Sequence, residues 1–353
     1  MTDRTEPTLS LEHSLSGGGF DDFIDVAGGI VGDVVSGIPA PVRKSFIKAL
    51  SQLCTAAMDV PIAHFEGLAI EKRAETKART LLIAESTKQI AADMSVDERF
   101  VQAASQKFAQ KVVREQINLN SIVAVAVAEL KSDDSPASSE NLKPEDPTVT
   151  PVIGDDWLNN FEREASTKTS AEMQLLFGKI LAGEIRKPSS FSIKTVRLIS
   201  QLESDAARAF AKFCSMAVSI SIDGVVWDAR VVAPGADKTM DPFKQYGFPY
   251  SSLLLLQESG LLMAEFQTSM DYTSSILIPN RSSSAFRYLN EDTYLMKSGD
   301  APFSGRLLLT GPSLTSSGKE LFKIVDLTPN DKYTAALRGY FTVQGFKMMS
   351  LKK

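Results

Sequence analysis

Histidine and cysteine are scarce, with two of each in 353 residues. His13 and His64 are the only histidines. Histidine-based triads, HExxH zinc sites and Cys/His clusters need more ligands at closer spacing, so all are excluded. Cys54 and Cys214 make no disulfide framework and fit a reducing cytoplasm. Long apolar runs are missing too. The stretch SIVAVAVAEL at 121–130 is about half of the ~18 residues a membrane span needs. The opening MTDRTEPTLS lacks the charged-then-apolar order of a secretion signal. Positive charge is not in excess: a formal charge of −5 argues against a chain-wide nucleic-acid footprint while leaving a local basic patch open. These absences point to a cytoplasmic protein, at most peripheral at the inner membrane.

Phosphate and nucleophile motifs fail on spacing. In GPSLTSSGKE, Gly311 and Gly318 stand too far apart for a P-loop, and Glu320 rather than Ser or Thr follows Lys319. Ser45–Lys48 and Ser316–Lys319 have the Ser-x-x-Lys spacing but none of the companion motifs of the penicillin-binding class. Glu172, Glu184, Glu203 and Asp205 share one region, where helix capping and surface ion pairs account for them most simply.

What is present in density is helix signal, over 153–218. Thr169 with Glu172 makes a capping box. Met173, Leu176, Phe177, Ile180, Leu181 and Ile185 then form one apolar stripe at helical period. Pro188 predicts a stop near Arg186 or Lys187. Gly178 and Gly183 each cost about 1 kcal/mol against Ala inside a helix, which points to close approach of a neighbouring helix. Asp155 or Asp156 caps a helix carrying Trp157, Leu158 and Phe161. Ser192 caps one carrying Val196, Ile199 and Leu202, and Ser204–Asp205 opens one with Phe210, Phe213 and Cys214 inward. Four short helices with brief connections predict a compact bundle.

Before this block, residues 1–19 read as a disordered tail and 20–131 as a helical arm. The stretch from Phe20 to Val42 mixes Phe20, Phe23, Ile24, Ile30, Val31 and Val34 with four Asp and a Gly28–Gly32 spacing. Its competing readings are an amphipathic helix packed on the body and a segment that meets lipid or a partner. Residues 43–60 predict a helix closed by Pro61, and 62–93 a stalk-like helix of mixed charge. Ser95 with Glu98 caps a helix with Phe100, Val101, Ala104, Phe108 and Val112 on one side. Lys107, Lys111 and Arg114 line the other side at i, i+4, i+7, a row that reads either as a plain solvated face or as one that meets phosphate or lipid head groups. Residues 132–154, rich in Pro, Ser and acids, read as a disordered linker.

After 218 the texture turns to strands. Asp223–Gly224 is a two-residue hairpin signal. Ser251 caps a short helix ended by Gly260, and LLMAEFQ, SSILIP, AFRYLN and GRLLLTG alternate as strands do. Gly318 belongs in the first turn of a helix, a last helix starts near Asn330, Gly345 fits its C′ position, and FKMMSL makes a final strand. The helix–GLL–strand order followed by LT…GKEL looks like a winged-helix arrangement. Its candidate reading helix, YSSLLLLQES, has no Lys or Arg with which to read bases.

The run DDWLNNFEREAS…AEMQLLFGKILAGEIRKPSSFSIKTVRLISQLESDAARAFAKFC resembles the core of a bacterial family known as the domain of unknown function 2806. It is more distantly similar to helical modules of abortive-infection proteins. Trp157, Phe161, Leu175, Ile180–Ile185, Pro188, Ser190–Ser192, Thr195, Leu202, Asp205–Ala206 and Phe210 carry the likeness. It extends more faintly from about residue 60 to the C-terminus, and implies a phage-defence setting with no catalytic residue to transfer.

The fold expected is therefore α+β, mainly α: a helical N-terminal arm, a central bundle at 155–218 and a winged-helix-like α+β domain at 219–353. The expected function is that of a non-enzymatic sensor or effector in phage defence, with residues 20–60 as its mobile part. It would act through a protein partner, self-association or peripheral membrane contact, without cofactor or metal. The contact residues would be Phe20, Phe23, Ile24, Ile30, Val31, Val34, Lys107, Lys111 and Arg114. Two other readings stay open: a nucleic-acid-binding regulator, and an enzyme with a carboxylate-based site.

Overall fold

The computed structural model describes residues 38–54, 98–132, 152–234, 241–278, 282–299, 303 and 305–351. The fold is α+β and mainly α. In chain order come α1 (Arg43–Leu53), the 35-residue α2 (Glu98–Ser132), α3 (Asp155–Ala165), α4 (Ala171–Arg186), α5 (Ile193–Ser200) and α6 (Ser204–Met216). Strands β1 (Val218–Ile222) and β2 (Val225–Arg230) follow, then α7 (Tyr250–Glu258), β3 (Ser269–Asp271), β4 (Ile276–Leu277), β5 (Phe286–Tyr288), β6 (Glu291–Lys297) and β7 (Leu308–Thr310). The last elements are α8 (Ser316–Phe322), α9 (Asp331–Val343) and β8 (Phe346–Leu351).

The helix termini obey local chemistry. Ser170, one residue beyond the expected Thr169, caps α4: its Oγ accepts from the Met173 N–H at 3.4 Å. Helix α4 ends at Arg186, where Pro188 predicts it. At α3 the N-cap is Gly154, and Asp155 and Asp156 sit in the first turn, favoured by the positive end of the helix dipole. Ser192 caps α5, its Oγ accepting from the Thr195 N–H at 3.2 Å.

One apolar core runs through the helices and the sheet. In the bundle, Trp157 stacks on Phe161 (centroids 5.0 Å apart), and Phe161 meets Phe177 at 5.6 Å. Full burial of such a ring contributes about 2–3 kcal/mol. Helices from both sides of residues 133–151 share this core. Phe46, Ala49, Leu50 and Leu53 of α1, and Leu119, Ile122, Val123, Ala126 and Leu130 of α2, are all buried. Gly178 allows this approach: a Cβ there would overlap Val125 Cγ1 and lie 2.6 Å from Val125 Cβ and 3.0 Å from the Ile122 carbonyl oxygen. Helices α2 and α4 run in the same direction, since Asn118 meets Gln174 and the Glu129 carbonyl meets Arg186.

The sheet has six strands. β1 and β2 form the hairpin at Asp223–Gly224, whose φ values of 51° and 73° are those of a two-residue turn. β1 also pairs with β5. β8 covers one edge of β6, while β5 (antiparallel) and β4 (parallel) share the other. β3 and β7 form a separate antiparallel pair. A buried network joins the two sheets. Arg230 Nε and Nη2 donate to Asp228 at 2.6 and 2.8 Å, its Nη1 donates to the carbonyls of Thr268 and Leu309 at 2.6 and 2.9 Å, and the Tyr272 hydroxyl donates to Asp228 at 2.9 Å.

Candidate functional site

The feature that the core does not absorb is the first half of α2. Val101, Ala104, Phe108 and Val112 start an apolar stripe that Leu119, Ile122, Val123, Ala126 and Leu130 continue along the same face. Packing begins where the body begins. Gln116 Nε2 donates to the Leu53 carbonyl at 3.1 Å, and Asn118 Nδ2 to the Ser166 carbonyl at 2.7 Å. Before that point Phe100, Phe108, Val112, Val113 and Ile117 stand between 45% and 69% exposed. At 1.5 Å per residue, residues 98–117 make an arm ~30 Å long.

The arm is basic. Residues 98–117 include Arg99, Lys107, Lys111 and Arg114 against Glu98 and Glu115. Lys111 pairs loosely with Glu115 at 3.7 Å. With ~100° per residue, the row Lys107, Lys111, Arg114 lies about 80° from the middle of the Phe100–Val112 stripe, bordering it rather than opposing it. At the base of the arm, Val112, Glu115, Gln116 and Leu119 face Asn159, Glu162, Arg163 and Ser166 across a cleft of about 320 Å³. Burial there pushes the Glu162 carboxyl up from its ordinary value.

A second exposed surface lies at the opposite end of α4. Ile222, Val225 and Trp227 project at the tip of the β1–β2 hairpin, each more than half exposed. The register slips after Ile220, leaving Trp227 as the extra residue of a bulge that re-aims its ring. Lys187 Nζ donates to the Asp223 carbonyl at 3.4 Å and Lys319 Nζ to the Trp227 carbonyl at 3.1 Å, so two ammonium groups brace the hairpin. A cleft of about 550 Å³ between α6 and the start of α9 includes Lys212, Met216, Tyr246 and Asn330 in its lining. Part of its lining is engaged within the fold: Asn330 caps α9 and donates to the Tyr246 carbonyl, and Ser215 Oγ accepts from the Thr328 N–H.

Two of the central region's carboxylates, Glu184 and Asp205, are engaged within the fold. Glu184 is buried, and its two oxygens accept from the Ser189 and Phe191 N–H groups at 2.6 and 2.9 Å. This holds Ser189 in a left-handed conformation, φ 69°. Burial pushes the Glu184 carboxyl up, partly offset by those hydrogen bonds. Asp205 pairs with Arg208 on the surface of α6. Glu320 accepts from the Ser192 N–H at 2.7 Å, bracing α5. Among the described residues no cluster of His, Cys, Asp and Glu could hold a metal ion.

Of the residues singled out in the sequence, Lys107, Lys111 and Arg114 come together on the exposed arm. Phe20, Phe23, Ile24, Ile30, Val31 and Val34 lie outside the described residues, as do His13, His64 and the stretch 62–93. The expectation for residues 20–60 needs correction. Residues 43–53 are not part of a mobile effector segment: Phe46, Ala49 and Leu53 are buried in the bundle core, and Lys48 ties α1 to the Ile153 carbonyl at 2.8 Å and to Asp155 at 2.7 Å. The exposed hairpin tip and the Asp228–Arg230–Tyr272 network escape the sequence reading. Ile222, Val225 and Trp227 look like ordinary strand residues, and the carbonyl partners of Arg230 lie 38 and 79 residues away.

Among the described residues no helix is long and apolar enough to cross a membrane. Comparison with curated proteins gives no match, and comparison with solved structures gives none. The model of the family described as "Protein of unknown function (DUF2806)" matches residues 102–338, from the arm of α2 through the bundle and the sheet into α9. That match covers more than half of the chain, and the chain belongs to the DUF2806 family.

Proposed function

We propose that this chain is a non-enzymatic contact protein in bacterial phage defence, a sensor or effector that works through exposed surfaces. The observation that carries the contact role is the arm of α2, whose apolar side chains continue a core stripe beyond the body that buries it. A helix that presents large apolar groups beside a basic row is built to meet another surface. The defence setting rests on the similarity of the 153–218 region to abortive-infection modules. Engagement of both Glu184 oxygens in a backbone turn weighs against the carboxylate-enzyme reading. Residues 219–353 are read as a winged-helix-like domain that binds a partner rather than DNA, because α7 carries no Lys or Arg and its Leu253 and Leu256 face the core. The test is phage plating efficiency on bacteria expressing the intact chain. A drop for some phages supports the reading; no drop across a broad panel, with soluble expression confirmed, removes the defence assignment.

One observation favours a second reading. Trp227 offers a ring for base stacking on a hairpin braced by Lys187 and Lys319, which would suit single-stranded nucleic acid. A mobility shift at low salt that Trp227→Ala abolishes would support it, and the absence of any shift would remove it.

A further inference from the structure

We propose that the arm of α2 docks on an anionic lipid surface. The inference rests on the reading of this arm as a contact surface, and it names what the arm contacts.

Charge selects the occupant. Residues 98–117 carry four basic groups, Arg99, Lys107, Lys111 and Arg114, and two acidic ones, Glu98 and Glu115, in a chain whose formal charge is −5. Lys107 and Arg114 have no ion pair among the described residues, and Lys111 has only a long one, to Glu115. A second copy of the chain would bring the same positive row against itself. An anionic surface is complementary to it, and the net negative charge elsewhere on the chain would be repelled, leaving the arm as the part that approaches.

The placement of the charges selects lipid over a protein groove. Phe100, Ala104, Phe108 and Val112 form the stripe, and Lys107, Lys111 and Arg114 run along its border. At an interface the aliphatic stems of border lysines and arginines lie along the acyl boundary while their charged ends reach the phosphates. A row on the far face would point to water instead. Phe100 and Phe108 lie two turns apart and, at 69% and 53% exposure, are open to insertion without any rearrangement of the core. Since no described helix can span a bilayer, the contact is peripheral, with the arm in the plane of the interface.

The test is co-sedimentation of the intact chain with vesicles of equal parts phosphatidylglycerol and phosphatidylcholine, beside vesicles of phosphatidylcholine alone. The chain should sediment with the first and not the second, and added salt should release it. Lys107→Glu with Arg114→Glu should lower the apparent partition about tenfold or more. Phe100→Ser with Phe108→Ser should lower it as well. All four side chains are exposed, so far-UV circular dichroism should be unchanged. Failure of the intact chain to bind anionic vesicles overturns the proposal, as does equal binding by the charge-reversed variant. The outcome separates from that of the contact reading. If the serine variant loses phage protection while the intact chain ignores vesicles, the contact role stands and an acidic protein partner replaces the membrane. If vesicles bind and no phage is restricted, the lipid inference stands and the defence assignment falls.

Discussion

Replacement of Gly178 by Ala tests the junction that sets the direction of α2. In an isolated helix the change would stabilise by about 1 kcal/mol. Here the new methyl overlaps Val125 Cγ1 and comes within 2.6 Å of Val125 Cβ, a distance that real Cβ atoms do not tolerate. Relief requires α2 and α4 to separate, and overpacking of this kind costs about 1–3 kcal/mol. The net expectation is destabilisation of up to about 2 kcal/mol, read as a lower denaturation midpoint at unchanged slope. Val125→Ala would not relieve the clash, because its Cβ remains. Val125→Gly would, leaving only the 3.0 Å approach to the Ile122 carbonyl oxygen, so Gly178→Ala in that background should stabilise by up to about 1 kcal/mol. The cycle should therefore give a coupling energy of about 1–3 kcal/mol. A stabilising Gly178→Ala in the otherwise unchanged chain, or a coupling near zero, would refute the close packing of α2 on α4.

Arg230→Met leaves the buried Asp228 carboxylate without its counter-charge and should cost about 3–5 kcal/mol, seen as a large fall in melting temperature; a cost below about 1 kcal/mol would refute the network. Glu184→Gln tests the turn after α4 through pH. Burial raises the folded-state pKa above the unfolded value, so the native state binds more protons across that window and stability falls as pH rises through it. On acidification from neutrality through that window, the unsubstituted chain should gain stability relative to Glu184→Gln, and a pH-independent difference would contradict the assignment. Burial pushes the Cys54 thiol up to about 12 and the Cys214 thiol well above its ordinary value. Both should resist a thiol reagent until denaturant is added, and rapid labelling of the native chain would show that one of them is accessible.

Local signals in the sequence carry over well. Pro188 ends α4, Ser192 caps α5, Asp223–Gly224 turns the β1–β2 hairpin, and Gly345 takes a left-handed φ of 80° after α9. Signals that depend on partners do not. Strand β6 has acidic residues at its start and alternates only through Thr293 and Leu295, so its place between β5, β4 and β8 is invisible in EDTYLMK. The turn before it uses Leu289 and Asn290 at φ 51° and 62°, where a sequence reader looks for Gly. LLMAEFQ alternates yet contributes only the single bridge from Leu262 to Leu314. For α2, period and composition show one apolar stripe from Val101 to Leu130. Only the positions of α1, α3 and α4 decide that its second half is core and its first half is surface. The basic row of the candidate site was thus legible as a solvated row, and the exposure of the apolar stripe beside it was not.

The central claim is that the exposed arm of α2 is what the protein works through. The most direct measurement is phage plating efficiency on cells expressing the Phe100→Ser, Phe108→Ser, Val112→Ser variant beside the intact chain, with melting temperatures compared on the purified proteins. The account predicts that the intact chain restricts plating and that the variant loses restriction while its melting temperature stays within a few degrees, because none of the three side chains is buried. Full restriction by a variant with a disrupted apolar face would contradict it.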